Sequence, residues 1–205
     1  MGNFDIIEII GAVIGLTYLF LEYKCSVWLW FVGIIMSLFF IVILYNSGFY
    51  ANSVIYGWYL ITNIYGWFVW ARGRKSSEDS QGIRNVNRRV VVWSTLVFGI
   101  LWFVICTALI KFTDSPVAFG DSFIAALSLV ATFWLAHKFL QHWWLWIVVN
   151  AVSAWLYFSQ DLIFIAIFSI VYTIGSIFGY FKWKKYRYLN SQCSKAISSP
   201  VKIAK

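Results

Sequence analysis

Residues 142–156 read HWWLWIVVNAVSAWL. Three tryptophans stand within four positions of His142, and after three aliphatic residues comes an asparagine, Asn150. The aromatic cluster followed by a lone amide recurs in altered form upstream. "VWLWFVGIIMSLFF", from Val27, carries a second Trp-Leu-Trp, so residues 28–30 fall on residues 144–146. Further along, "NIYGWFVW" (63–70) aligns with "SIFGYFKW" (176–183) once a gap of three residues is allowed. Two matches in the same order predict that the chain is built from two related units.

Those units belong in a bilayer. The chain is 61% hydrophobic and 12% charged, with a mean hydropathy of +0.76. An ordinary soluble domain is about 45–50% apolar and about 25% charged. A hydrocarbon core about 30 Å thick needs about 20 mostly apolar residues per helix. Seven runs approach that length: Ile6–Leu21, Trp28–Tyr45, Tyr50–Trp70, Val90–Ile110, Asp121–Ala136, Trp143–Phe158 and Leu162–Tyr180. The polar stretch "ARGRKSSEDSQGIRNVNRR" separates the third from the fourth and reads as a solvated linker. Pro116, in the link before the fifth, suits a helix start or turn. The fold class is therefore all-α integral membrane. Helices two and three resemble helices six and seven. Helices one and five would be their weaker-matching partners, leaving helix four between two units of equal orientation. This is a 3+1+3 parallel repeat of the SWEET kind, with the solute site expected between the halves near the midplane. Repeat one spans about 5–71, the linker helix about 90–110 and repeat two about 118–183. Together they form one membrane domain over 1–185, and a basic tail follows over 186–205.

Charge gives the orientation. With seven spans, all but one of the 16 Lys and Arg residues fall on the side that carries the carboxyl terminus, the exception being Lys111. The positive-inside rule places that side in the cytoplasm and the amino terminus outside. The net charge of +8 is then a topology signal and does not point to nucleic acid. The opposite face carries Asp5, Glu8, Asp114, Asp121 and Asp161 against Lys111, which concentrates cations near its mouth. "MGNFDIIEII" lacks the basic start of a signal peptide, and Ile6 stands where myristoylation needs Ser or Thr. Cys25 and Cys193 fall on the reducing side and Cys106 within helix four, a pattern that implies neither disulfide nor metal centre.

Polar residues at membrane depth mark cavities or helix contacts. Trp143, Trp146 and Asn150 share one helical face, with Asn150 about 10 Å deeper than Trp143. In helix three, Asn52, Tyr56, Tyr59 and Asn63 form a second polar aromatic stripe. Amides and large rings at one depth suit a planar cation that stacks on indole and bonds to an amide. Each residue also has a plainer role open to it. Trp143 and Trp144 could belong to an interfacial belt, and Asn63 could bond helix to helix. His137 and His142 read as interfacial, and Gly66 and Gly179 as sites of close helix packing. No nucleophile, metal cluster or acid–base pair shares one depth, so an enzyme is excluded and no cofactor is implied. The chain also lacks a Walker-type loop. A receptor could share the helix count, but it has less need of midplane amides in repeated halves.

The Trp-x-x-Trp-x-x-x-Asn of residues 143–150, with "NIYGWFVW" and "GDSFIAALSLVATFWLAHKFLQHW", resembles the PnuC family of vitamin transporters over about residues 8–185. The resemblance implies the 3+1+3 fold and facilitated diffusion of nicotinamide riboside, with a soluble cytoplasmic kinase trapping the product as a functional partner. It implies that Trp143, Trp146 and Asn150 belong to the substrate site, and Asp121 also matches a family position. Where that branch is expected to carry Gln, this chain has Tyr56, and relatives within the family carry thiamine instead. A homo-oligomer in the cell (inner) membrane is compatible with this reading. Facilitated diffusion also follows from the residues, because no helix shows a buried carboxylate relay. Single cysteines introduced at Asn3 and Ser77, with the native ones removed, test the topology in intact cells. An impermeant thiol reagent should label position 3 and spare position 77, and the reverse pattern overturns the orientation.

Overall fold

The computed structural model describes residues 4–46, 50–73, 82–112 and 117–198. The side chains of Asp5, Glu8, Asn52 and Cys193 and all of Asp114 and Pro116, each named above, lie outside what is described. Seven helices appear among the described residues: α1 (Phe4–Tyr23), α2 (Trp28–Asn46), α3 (Tyr50–Gly73), α4 (Arg88–Phe112), α5 (Ala118–Ala136), α6 (His142–Ser159) and α7 (Ile163–Ser198). They match the seven apolar runs in number and order, and α7 continues as a helix well into the stretch expected as a tail. Arg88–Phe112, Ala118–Ala136 and Ile163–Leu189 are each long and apolar enough to cross a membrane. Helix α4 contains no buried residue. Most of its apolar side chains face outward, as a lipid-exposed helix requires, while Phe98 and Trp102 pack on Phe119 and Phe123 of α5.

Sharp turns join helices within each unit. α1, α5 and α6 all end on a residue with positive φ that is not glycine: Cys25 (φ 53°), Lys138 (φ 55°) and Asp161 (φ 59°). In each case two backbone bonds close the end. At Cys25 they are Ser26 N–H to Leu21 O (3.0 Å) and Cys25 N–H to Glu22 O (2.9 Å). At Lys138 they are Phe139 N–H to Trp134 O (3.0 Å) and Lys138 N–H to Leu135 O (2.9 Å). This left-handed cap satisfies the last carbonyls and turns the chain back within a few residues.

Packing follows the repeat. α2 packs on α3, α6 on α7, α5 on α6 and α1 on α2, while α4 rests on α5. The halves meet through α1 against α7 and α3 against α5, two contacts that exchange when one unit is superposed on the other. One constant residue spacing relates Cys25 to Lys138, Trp30 to Trp143, Gly66 to Gly179 and Trp70 to Trp183. A Cβ on Gly66 would stand inside the indole of Trp30, and a Cβ on Gly179 inside that of Trp143. The structural register between α2 and α6 is thus one turn away from the alignment of the two Trp-Leu-Trp strings, and it needs no gap. Local string matching slips here because α6 carries Trp143, Trp144 and Trp146 close together, so the Trp-Leu-Trp of α2 finds a match one turn away from Trp143.

The second half of the α3–α4 connection also departs from expectation. Instead of lying free in solvent, residues 83–86 cross the turn between α5 and α6. Arg84 N–H donates to Lys138 O (3.1 Å) and Leu140 N–H to Arg84 O (2.9 Å), while Val86 N–H donates to Gln141 Oε1 (2.9 Å). Ile83 is buried in the main core cluster. The reason is backbone accounting: the turn leaves unpaired groups that an extended segment satisfies. Gly66→Ala should destabilise the protein by about 1–3 kcal/mol through overpacking. Thermal unfolding in detergent should show the loss, with recovery when Trp30→Phe is added; an unchanged melting temperature for Gly66→Ala would contradict the packing described.

Candidate functional site

At the basic end of the molecule four indoles close the space between the halves. Trp30, Trp70, Trp143 and Trp183 are all essentially fully buried. Within each half two of them meet edge to face, Trp30–Trp70 at 5.5 Å and Trp143–Trp183 at 5.7 Å between centroids. Trp70 and Trp183 then meet across the halves at 6.3 Å. Their ring N–H groups cap helix ends in the opposite half: Trp70 Nε1–H donates to Ala136 O of α5 (2.9 Å) and Trp183 Nε1–H to Glu22 O of α1 (3.1 Å). Buried indole needs both apolar contact and one acceptor, and the carbonyls at the helix ends supply the acceptor.

Above this seam the two halves differ. Gly33 and Ser37 on α2 occupy the positions matched by Trp146 and Asn150 on α6, and Asn63 on α3 matches Ser176 on α7. Asn63 lies against Gly33 and donates through Nδ2 to Ser37 Oγ (3.3 Å). It is thereby held within the α2–α3 contact. On α6, Asn150 donates through Nδ2 to Trp146 O (2.8 Å) and is half-buried. The Nε1–H groups of Trp30, Trp143 and Trp146 are buried without a hydrogen-bond partner among the described residues. Trp30 and Trp143 are matched positions, so their unpaired donors belong to the shared seam. Trp146 has a glycine as its counterpart, and its unpaired donor is a feature of the second half alone. A buried donor left unpaired costs about 1–3 kcal/mol, which a bound acceptor would recover.

Tyrosines continue the path toward the acidic end. Tyr56 stacks on Phe40 (4.8 Å between centroids) and meets Tyr59 edge to face (5.9 Å). Tyr157 of α6 lies near Tyr56, Tyr59 and Asp121. Tyr59 in turn lies within electrostatic reach of Tyr18, and Tyr18 within reach of Tyr172 and Glu22. A line of five phenols from four helices therefore connects Asp121, in the first turn of α5, with Glu22 near the end of α1. A cavity of about 500 Å³ lined by Trp58, Arg89, Trp93, Leu101, Leu129 and Phe133 lies elsewhere, on the lipid-facing side between α3, α4 and α5.

The structure thus sets Trp146 and Asn150 on the helix that carries Tyr157, places Tyr56, Tyr59 and Asp121 near Tyr157, seats Trp143 in the seam and holds Asn63 inside one half. The sequence reading did not find Tyr157, Tyr18, Tyr172 or the partner of His142. Tyr157 had a signal, since it lies seven residues beyond Asn150 on the same helical face. One expectation is refined. His142, read as interfacial, is fully buried against protein, with Nε2 3.1 Å from Glu22 Oε1. Glu22 is itself only 3% exposed, a buried carboxylate that the sequence reading did not weigh.

Comparison with known proteins agrees with this arrangement. The family model described as "Nicotinamide mononucleotide transporter" matches residues 5–185. The nicotinamide riboside transporter PnuC of Escherichia coli (strain K12) is 23% identical, with 89% of this chain and 87% of that one covered. The protein of the same name from Haemophilus influenzae is 24% identical over 87% of this chain and 79% of its own length. The crystal structure of the vitamin B3 transporter PnuC has the same fold, with a TM-score of 0.64, 19% identity and coverage of 85% of this chain and 79% of that one. The chain is therefore a multi-pass membrane protein that belongs to the nicotinamide mononucleotide transporter family, a family of carriers and not of enzymes.

Proposed function

We propose that this protein carries nicotinamide riboside across the inner membrane by facilitated diffusion along the path between its halves. The amino terminus is outside, the acidic end of the path is the outer mouth and the tryptophan seam is the cytoplasmic end. The observation that carries this reading is the buried, unpaired Trp146 Nε1–H beside Asn150, at a depth where the other half has only Gly33 and Ser37. A ring bearing a carboxamide would stack on Trp146, accept from its N–H and bond to Asn150. Tyr56 and Tyr59 face the same solute from the first half, Asn63 supports that wall from within the α2–α3 contact, Trp143 bounds the solute on the cytoplasmic side and Asp121 attracts its positive charge at the mouth. The carboxylates Asp121 and Glu22 and the absence of Lys and Arg from these path residues favour the nucleoside cation over its phosphorylated form.

Uncoupled transport is supported by the groups between the two carboxylates. They are phenols, which ionise near about pH 10 and offer no ready proton relay at neutral pH. A cytoplasmic kinase that phosphorylates the arriving nucleoside would keep its inward gradient. Thiamine is the second reading, favoured by Tyr56, whose ring next to Phe40 and Tyr59 offers a stacking surface where the riboside branch is expected to hold an amide.

Trp146→Ala and Asn150→Ala should each weaken nicotinamide riboside binding by about 1–3 kcal/mol, or about 5- to 150-fold, with the protein still monodisperse. Calorimetry decides, and unchanged affinity in both variants returns these residues to packing. Proteoliposomes should equilibrate the nucleoside and stop, with little inhibition by excess thiamine. Accumulation under an imposed proton gradient contradicts the mechanism, and tighter thiamine binding that Tyr56→Gln reverses contradicts the choice of solute.

A further inference from the structure

The seam is symmetric in its four indoles and asymmetric beside them. The spacing that matches Trp30 with Trp143 also matches Leu29 with His142 and Leu135 with Glu22. All four are buried. Leu29 and Leu135 belong to the one apolar cluster that contains the seam, while their counterparts are an imidazole and a carboxylate. One flank of the closure is therefore hydrocarbon and the other is a titratable pair joining α1 of the first half to α6 of the second.

The bonding of that pair fixes its proton count. His142 Nδ1 lies 2.7 Å from Phe139 O, and a carbonyl only accepts, so Nδ1 carries a hydrogen. Nε2 lies 3.1 Å from Glu22 Oε1, a contact that needs a hydrogen between two groups that would otherwise both accept. The pair holds one shared proton, written either as imidazolium with carboxylate or as imidazole with carboxylic acid. Trp183 donates to the backbone oxygen of the same Glu22, so the carboxylate's own residue anchors an indole of the seam.

Buried pairs of this kind add little net stability over apolar packing, because desolvation offsets their attraction, yet leaving one partner alone is strongly unfavourable. A contact whose groups regain hydration on opening is suited to being broken repeatedly. A leucine contact, which exposes hydrocarbon on opening, is suited to staying shut. We propose that Glu22 and His142 are the positioning residues of the cytoplasmic gate: their pairing holds the tryptophan seam closed, and its release opens the α1–α6 flank while the Leu29–Leu135 flank acts as the hinge. The inference rests on the reading that the solute's route runs between the halves.

Accessibility of Tyr18→Cys, one turn into the path from Glu22, measures the gate without any solute. The background lacks native cysteines, and an impermeant thiol reagent is applied from the cytoplasmic side of inside-out vesicles. Glu22→Leu leaves His142 buried and unpaired and should raise labelling about tenfold. Glu22→Leu with His142→Leu copies the hinge flank into the gate and should lower labelling about fivefold below the parent. Nicotinamide riboside binding should persist and uptake should fall in that double variant. Glu22→Gln, whose amide N–H can donate to Nε2, should stay near the parent. Opposite signs for the single and double variants support the gate, and a merely structural role moves both the same way. Equal signs, or unchanged labelling in folded variants, overturn it. Should Glu22→Leu fail to fold, the double variant decides, since labelling at or above the parent level overturns the proposal. A wrong solute would show as lost binding with this labelling order intact.

Discussion

The fold depends on one constraint: large indoles must be buried at the basic end of the bundle with their N–H groups paired or packed. Glycines in α3 and α7 let Trp30 and Trp143 lie flat against neighbouring helices within each half. Trp70 and Trp183 then take their acceptors from the ends of α5 and α1 in the opposite half. The caps and the inter-half contacts are thus the same interactions, so each unit is completed by the other. In lipid, where apolar surface alone gives helices little reason to associate, such close packing and hydrogen bonding hold the bundle together.

Function enters where the repeat is broken. Gly33 and Ser37 in one half stand where the other has Trp146 and Asn150, which puts an unpaired donor, an amide and a ring on α6 alone. A symmetric pair of walls would either close on itself or offer two equal sites. In the proposed reading the difference gives one site, with the solute held from α6 and bounded by the tyrosines of α3. The same asymmetry recurs beside the seam, where Leu29 and Leu135 are exchanged for His142 and Glu22.

Much of this was legible in the sequence, for physical reasons. Seven spans follow from the length of hydrocarbon a helix must cross, and the repeat follows from Asn63–Trp70 matching Ser176–Trp183. Trp146 and Asn150 stood out because an amide at membrane depth needs a reason. What stayed hidden depends on long-range contact. Glu22 and His142 lie 120 residues apart; His142 looked interfacial at the start of its helix, and Glu22 gave no signal of its own. The turn-long slip between α2 and α6 could not be seen without knowing which indole meets which glycine. The docking of Ile83 and Arg84 over the α5–α6 turn is likewise invisible in a stretch of polar composition.

Distances between the halves at the basic end test the central claim most directly. Pulsed spin-label measurements would compare two pairs in lipid, Lys24→Cys with Lys184→Cys on the gate flank and Arg72→Cys with Lys138→Cys on the hinge flank. The account predicts two distance populations for the first pair, whose weights change on adding nicotinamide riboside, and one unchanged population for the second. A single distance for the Lys24–Lys184 pair under all conditions, or equal movement of both pairs, would contradict it.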